Sequence, residues 1–180
     1  MDKFEMSRIK YKPDILKYLL IAETPPKSDS ERFFYFENVS EQDSLFLETM
    51  NVLYPSETSQ LTTKEIRAKK TEFLLHFKED GFYLIDSLEK PFEVKYSRPQ
   101  KINLIKKGQA NLLSRINSII DKNTKVILIS ATVYEANFQY LKQNKINVIN
   151  KEMIDFPGSG GQIKFRDKMN ILLTDYNTQS

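Results

Sequence analysis

The chain has 180 residues, of which 40% are hydrophobic, and 27 Lys and Arg side chains against 24 Asp and Glu side chains give it a net charge of +3. This length and composition suit one hydrophobic core, so we expect a single domain over residues 1–180. The absence of cysteine excludes disulfides, thiolate zinc sites, cysteine nucleophiles and cysteine-ligated iron–sulfur clusters.

The charge balance and the first residues limit the class of protein further. A net charge of +3 permits nucleic-acid binding without indicating it. Residues 1–12 carry six charged side chains, and no early apolar segment is long enough for a signal peptide or a membrane span. We therefore expect a cytoplasmic monomer with no membrane partner. With His76 as the single histidine, we expect no metal site and no cofactor.

Four short apolar segments are typical of buried parallel strands and cover residues 18–22, 82–85, 126–129 and 146–149. A short helix is predicted over residues 14–18, and a Thr62–Glu65 capping box predicts a longer helix that ends near Gly81. Further helical patterns follow the second, third and fourth strands. This alternation predicts an α/β fold, a three-layer α/β/α sandwich around a mostly parallel four-stranded sheet.

Two unusual turns follow predicted strands. Pro25 and Pro26 end the first strand, because tandem prolines cannot donate ladder hydrogen bonds. Residues 156–162 contain three of the five glycines and precede the last helix, whose free N–H groups offer a place for a phosphate. Ligands of open α/β sheets bind at the carboxyl ends of strands, so we predict that the two turns face one pocket. In the alternative interpretation, these prolines and glycines only shape tight turns.

An aromatic run and a basic run each allow two interpretations. Residues 33–36 are four consecutive aromatics, which suit either the core or a short strand, or else stacking of one ring on a flat ligand at the pocket mouth. The basic residues of the capped helix are read as a solvated face, with phosphate contact as the alternative; they are Lys64, Arg67, Lys69 and Lys70.

Three stretches of the chain resemble the uracil-DNA glycosylase superfamily. Ala22-Glu23-Thr24-Pro25-Pro26 is similar to its first motif, a strand followed by a Gly-x-x-Pro turn. Gly81-Phe82-Tyr83-Leu84-Ile85-Asp86 is similar to its central strand, which ends in a base-reading asparagine. Residues 155–165 resemble its second motif, a His-Pro-Ser loop that enters the DNA minor groove. Phe34 and Phe36 fall where these enzymes keep the aromatic residue that stacks on the base.

The resemblance implies a uracil-DNA glycosylase-like domain that binds DNA or a nucleotide. It places Phe34, Phe36 and Asp86 against the base, and it assigns DNA contacts to the second-motif segment, namely Phe156, Pro157, Ser159, Gly160, Gln162 and Lys164. The chain departs from the family pattern at three motif positions. Thr24 stands where many members have the aspartate or asparagine that positions the attacking water. Phe156 stands where the second motif has its histidine, and Asp86 where the family has the asparagine that reads the base.

Despite those departures, Glu23 is a candidate for the anion near the sugar. Glycosidic cleavage passes through an oxocarbenium-like state, which a nearby anion stabilises, and Glu23 is the first candidate with Asp29 the second. An ionised Asp86 would repel a departing uracil and accept from an amine or ring N–H instead. Two hypotheses follow: a divergent DNA glycosylase that excises a base other than uracil, or a catalytically silent member that binds nucleic acid or a nucleotide.

Overall fold

The computed structural model describes residues 2–27, 29–158 and 160–174. Its sheet contains three parallel strands, β1 (Tyr18–Ala22), β2 (Phe82–Asp86) and β3 (Lys125–Leu128), in the order β2-β1-β3. All five residues of the central strand are buried, so both of its faces are covered. The predicted α/β class with a parallel sheet is therefore confirmed.

The predicted four-stranded sandwich is not confirmed, because residues 146–149 form no regular strand. They reach β3 through an isolated parallel bridge between Val126 and Val148. The side chain of the buried Asn150 then takes the place of a strand backbone, accepting from the Leu128 N–H at 3.0 Å and donating to the Leu128 carbonyl at 3.2 Å. Since these groups of β3 are already paired, no backbone ladder continues there.

Helices connect and surround the strands in the described part of the chain. In chain order they are α1 (Lys3–Lys10), α2 (Ser44–Leu53), α3 (Pro55–Thr58), α4 (Thr63–Ala68), α5 (Lys70–Glu79), α6 (Arg98–Lys107), α7 (Gln109–Asn117), α8 (Ala131–Gln143) and α9 (Gln162–Leu172). None of these helices has the length and apolar character needed to cross a membrane.

The N-terminal region differs from its prediction. No helix forms over residues 14–18, because the N–H groups of Lys17 and Tyr18 both donate to the Gly81 carbonyl and attach this segment to the sheet. Instead, α1 begins after Asp2, whose side chain accepts from the Glu5 N–H at 2.8 Å. The capping box of Thr62 and Glu65 is confirmed, but the helix that it begins is α4, which is short and is followed by α5.

The aromatic run closes the outer edge of β2. Phe33, Phe34 and Tyr35 are buried, which agrees with the core interpretation of this run. The Tyr35 hydroxyl accepts from the Leu84 N–H at 2.6 Å and donates to the Leu84 carbonyl at 3.1 Å. Because β1 occupies the other side of β2, this hydroxyl pairs backbone groups that a further strand would otherwise need.

The glycine turn is held between β3 and α9. The Ser130 N–H donates to the Ile154 carbonyl at 3.0 Å, which brings the turn to the carboxyl end of β3. The Gly161 N–H then donates to the Gly158 carbonyl at 3.0 Å and closes the turn. After the turn, α9 packs against α2, where Arg166 binds Glu48 at 2.6 Å.

This close turn leads to a prediction for Gly161→Ala. A Cβ at Gly161 would lie 2.2 Å from the Phe156 carbonyl oxygen, so the backbone has to move. We expect the free energy of unfolding to fall by about 1–3 kcal/mol in urea titrations. Gly158→Ala is the matched control, because its Cβ would meet only the Phe156 ring at 3.1 Å, and this half-exposed ring can rotate away. Equal stability of the two variants would contradict the prediction.

Candidate functional site

A cleft of about 570 Å³ lies at the carboxyl ends of the strands. Its wall is built from segments that are distant in sequence: residues 22–26, 32–34 and 42–46, with Leu84, Asp86, Lys101, Ser130 and Phe156. Parallel strands bring their carboxyl ends to one edge of the sheet, and the register pairs Ala22 directly with Asp86. The turn after β1 and the start of the glycine turn therefore meet in this cleft.

Glu23 is a fixed anion in the cleft wall. Its Oε2 binds Lys101 Nζ at 2.9 Å and its Oε1 accepts from the Thr132 hydroxyl at 2.5 Å. The side chain is 22% exposed. A carboxylate oxygen can accept more than one hydrogen bond, so Glu23 keeps the capacity to accept from a water or a ligand.

Asp86 forms the buried end of β2 within the cleft. Its Oδ2 accepts from Arg8 Nη2 at 2.7 Å, and Arg115 donates to the Asp86 carbonyl at 2.9 Å. Burial raises the pKa of Asp86 from 3.8 to about 6, while the positive charges of Arg8 and Arg115 oppose this rise. The carboxyl group is thus ionised at neutral pH and titrates at mildly acidic pH.

The two aromatic residues predicted to stack on a base lie in different places. Phe34 lines the cleft and packs edge-on against Phe46, with ring centroids 5.8 Å apart. Phe36 does not line the cleft; it stacks on Phe4 with centroids 5.4 Å apart. Of the two, only Phe34 lines the cleft, and the structure does not bring Phe36 together with the other residues predicted to contact a base.

Asp29, the second candidate for catalysis, also lies outside the cleft. It lines a neighbouring surface depression that shares Pro26, Arg32 and Gln42 with the cleft wall. Glu23 is not part of that depression, so the structure does not bring the two carboxylates together in one cavity. Glu23 remains as the candidate near the sugar.

The glycine turn contributes one predicted residue to the cleft. The side chain of Phe156 is 47% exposed and lines the cleft, whereas Pro157 is buried. Gly160, Gln162 and Lys164 are absent from the described cleft wall, and Ser159 lies outside the described residues. The N–H of Gly161, which belongs to the turn predicted to bind a phosphate, is already bonded to the Gly158 carbonyl. A phosphate grip by this turn is therefore not preformed.

A buried cluster of charges surrounds Asp43 in the cleft wall. Asp43, which lines the cleft, accepts from Arg67 Nε at 2.8 Å and binds Lys70 Nζ at 3.4 Å. Lys70 is fully buried, with Nζ 4.3 Å from the centroid of the Phe46 ring. The prediction of a solvated basic face is therefore wrong for Lys70, although Lys64 and Lys69 are exposed.

Sequence reasoning missed the cations that hold the cleft carboxylates. Arg8 comes from α1, Lys101 from α6, and Arg67 and Lys70 from the region around α4 and α5. Each partner lies at least 24 positions from its carboxylate, so no local spacing relates them. Among the described residues, no group of three or more Asp, Glu or His side chains is arranged to hold a metal ion.

Comparisons with protein-family models, with curated proteins and with solved structures found no match to this chain.

The Arg8–Asp86 pair yields a prediction for titration. Arg8→Gln removes a positive charge that favours the carboxylate, so we expect the pKa of Asp86 to rise above its value of about 6. Glu5→Gln is the matched variant from the same helix: the Glu5 charge raises the pKa of Asp86, so its removal is expected to lower it. Carboxyl-carbon NMR as a function of pH measures both shifts. An unchanged Asp86 titration in Arg8→Gln would contradict this account.

The buried cluster yields a prediction for stability at high pH. Burial lowers the pKa of Lys70 from 10.5 to about 8. Between these values the unfolded chain holds a proton that the folded chain has lost, so stability rises with pH from about 8 to 10.5 and this contribution is constant below about pH 8, where both states are protonated. Relative to Lys70→Met, the unmodified chain should gain about 3 kcal/mol of unfolding free energy across the window.

Urea unfolding at a series of pH values measures this gain. Lys69→Met is the control, since Lys69 is exposed and next in sequence. A constant difference in stability between the unmodified chain and Lys70→Met over the window would show that Lys70 does not titrate there.

Proposed function

We propose that this chain is a divergent uracil-DNA glycosylase-like protein that takes an extruded DNA base into the cleft and hydrolyses its N-glycosidic bond. The observation that carries the proposal is the meeting of Glu23, Phe34 and Asp86 in one cleft at the carboxyl edge of a parallel sheet. The motif resemblance assigns Phe34 to the base face and Asp86 to the base edge, and the chemistry of glycosidic cleavage assigns Glu23 to the sugar. They come from three separate segments of the chain.

The cleft suits a nucleoside in size and chemistry. Its volume of about 570 Å³ lies in the range of small-molecule pockets. Phe34 lines the cleft with the 6% of its surface that is exposed, which gives the base an apolar contact, and Asp86 offers a hydrogen-bond acceptor for the base edge. Enzymes that act on a base in a duplex have to turn it out of the stack into such a pocket.

Glu23 supplies the charge that the reaction requires. As the glycosidic bond breaks, positive charge develops on the sugar, and a carboxylate held in place stabilises it without reorganisation. The same carboxylate accepts a hydrogen bond from the water that attacks the anomeric carbon. Lys101 and Thr132 act as positioning residues, because they hold the two oxygens of Glu23 at 2.9 and 2.5 Å.

Phe156 supports base extrusion at the rim of the cleft. Phe156 is 47% exposed and lines the cleft, so it is accessible to a bound duplex. Apolar side chains of this kind open duplexes by entering the base stack. Phe156 cannot donate a hydrogen bond to the departing base, so its contribution is to fill the space that the extruded base leaves.

One observation favours a second candidate function, a silent member of the fold that binds nucleic acid or a nucleotide without cleavage. Both carboxylate oxygens of Glu23 already accept hydrogen bonds, and Lys101 offsets its negative charge. A water would have to share these oxygens with Lys101 and Thr132. The two candidates use the same cleft and differ only in whether the bond breaks.

Base release from oligonucleotides with a panel of damaged and deaminated bases separates the two functions. We expect release of at least one base, and we expect Glu23→Gln to slow it by about 10²-fold or more, because the amide carries no charge. Glu79→Gln is the matched control on an exposed residue outside the cleft wall, and it should release bases at the unmodified rate.

Binding measured as a function of salt completes the test, since phosphate contacts weaken as salt rises. Salt-dependent binding with no release across the panel would favour the silent member. Release that is unchanged in Glu23→Gln would remove Glu23 from the mechanism. No binding at low salt would refute both functions.

A further inference from the structure

We propose that Arg8 of α1 is a positioning residue that makes the cleft select a base edge with two adjacent donors, the N1–H and 2-amino group of guanine, over the carbonyl-rich edge of uracil. This inference rests on the proposed function and extends it to the class of base. Damaged guanines that keep both donors belong to this class.

Arg8 reaches Asp86 from behind the cleft. It lines a second cavity, of about 470 Å³, whose wall shares Asp86 and Pro25 with the cleft, and it is not part of the cleft wall. Its Nη2 binds Asp86 Oδ2 at 2.7 Å, while its Nη1 binds Glu5 at 2.5 Å. The guanidinium also lies 5.5 Å from the ring of Phe33. These contacts hold the cation at one oxygen of Asp86.

The second oxygen of Asp86 remains for a ligand. Among the described residues, no side chain or backbone group donates to Oδ1 of Asp86. The main chain beside it is held by Arg115, which donates to the carbonyls of Asp86 and Ser87 at 2.9 and 2.8 Å. The carboxyl group is therefore anchored through its Oδ2 and its backbone, and Oδ1 is left as an acceptor at the boundary of the two cavities that Asp86 lines.

A carboxylate in this position binds hydrogen-bond donors of a base edge and disfavours hydrogen-bond acceptors. It has acceptor oxygens only, whereas an asparagine at the same place presents one donor and one acceptor. Guanine offers two neighbouring donors to such a group, adenine and cytosine offer one donor beside a ring acceptor, and uracil offers one N–H between two carbonyl oxygens. Burying an uncompensated carbonyl against a carboxylate is costly, so the edge with two donors binds best.

Arg8 is needed for this selection because Asp86 is buried. Burial raises the pKa of Asp86 to about 6, and the Arg8 charge is the largest effect that opposes the rise. The other charged groups that act on Asp86 are Arg115 of α7, which also favours the carboxylate, and Glu5 of α1, which disfavours it. Without Arg8 a larger share of Asp86 is protonated at neutral pH, and a protonated carboxyl group donates to a carbonyl.

The experiment compares 2′-deoxyguanosine and 2′-deoxyuridine as probes of the full chain, with dissociation constants from NMR titration at neutral pH. We expect about tenfold tighter binding of deoxyguanosine, the effect of one net hydrogen bond of about 1.4 kcal/mol. Asp86→Asn should reverse the order. Arg8→Gln should bring the two constants within about twofold, and Arg8→Lys should restore most of the preference, since it returns the charge.

Glu5→Gln is the matched control, because Glu5 also binds Arg8 but lies outside the cleft wall; it should keep the preference for deoxyguanosine. Melting temperatures establish that each variant is folded. Nucleoside binding with no preference, or with a preference unaffected by Asp86→Asn and Arg8→Gln, would overturn this inference and leave the proposed function intact. Failure of both nucleosides to bind, together with no binding of DNA, would overturn the proposed function as well.

Discussion

The parallel pairing of β1 with both of its neighbours is the constraint on which the rest of the structure depends. Because the three strands run in one direction, their carboxyl ends share one edge of the sheet. The register sets Ala22 beside Asp86, so the turn that begins at Glu23 opens directly next to the end of β2. Ser87 continues the pairing by donating its N–H to the Ala22 carbonyl at 2.8 Å. The cleft is a consequence of this alignment.

Each carboxylate of the cleft wall is held by a cation from a distant part of the chain. Lys101 binds Glu23, Arg8 binds Asp86, and Lys70 together with Arg67 binds Asp43. Burying such charges costs free energy, and pairing recovers only part of it. Their arrangement is therefore better explained by what it does to the cleft, where it keeps the acids in defined positions, than by a gain in stability.

Local patterns predicted the elements well where one segment determines its own structure. The apolar runs of β1, β2 and β3 and the capping box at Thr62 formed as expected. The prediction of a fourth strand failed because Asn150 pairs with β3 through its side chain. The apolar run at residues 146–149 does not reveal this pairing. The prediction of a solvated basic face failed at Lys70, because the burial of Lys70 depends on Asp43 and on the Phe46 ring, which belong to other segments.

The sequence by itself predicted the α/β class and three of the strands, because strand burial and turn chemistry depend on short stretches of residues, and it proposed a wider set of site candidates than the cleft contains. Only the tertiary structure decided which candidates share a cleft. It brought Phe156 to the cleft wall, left Phe36 stacked on Phe4, and supplied the partner cations. These outcomes depend on contacts between residues tens of positions apart, and no periodicity or motif within one segment carries that information.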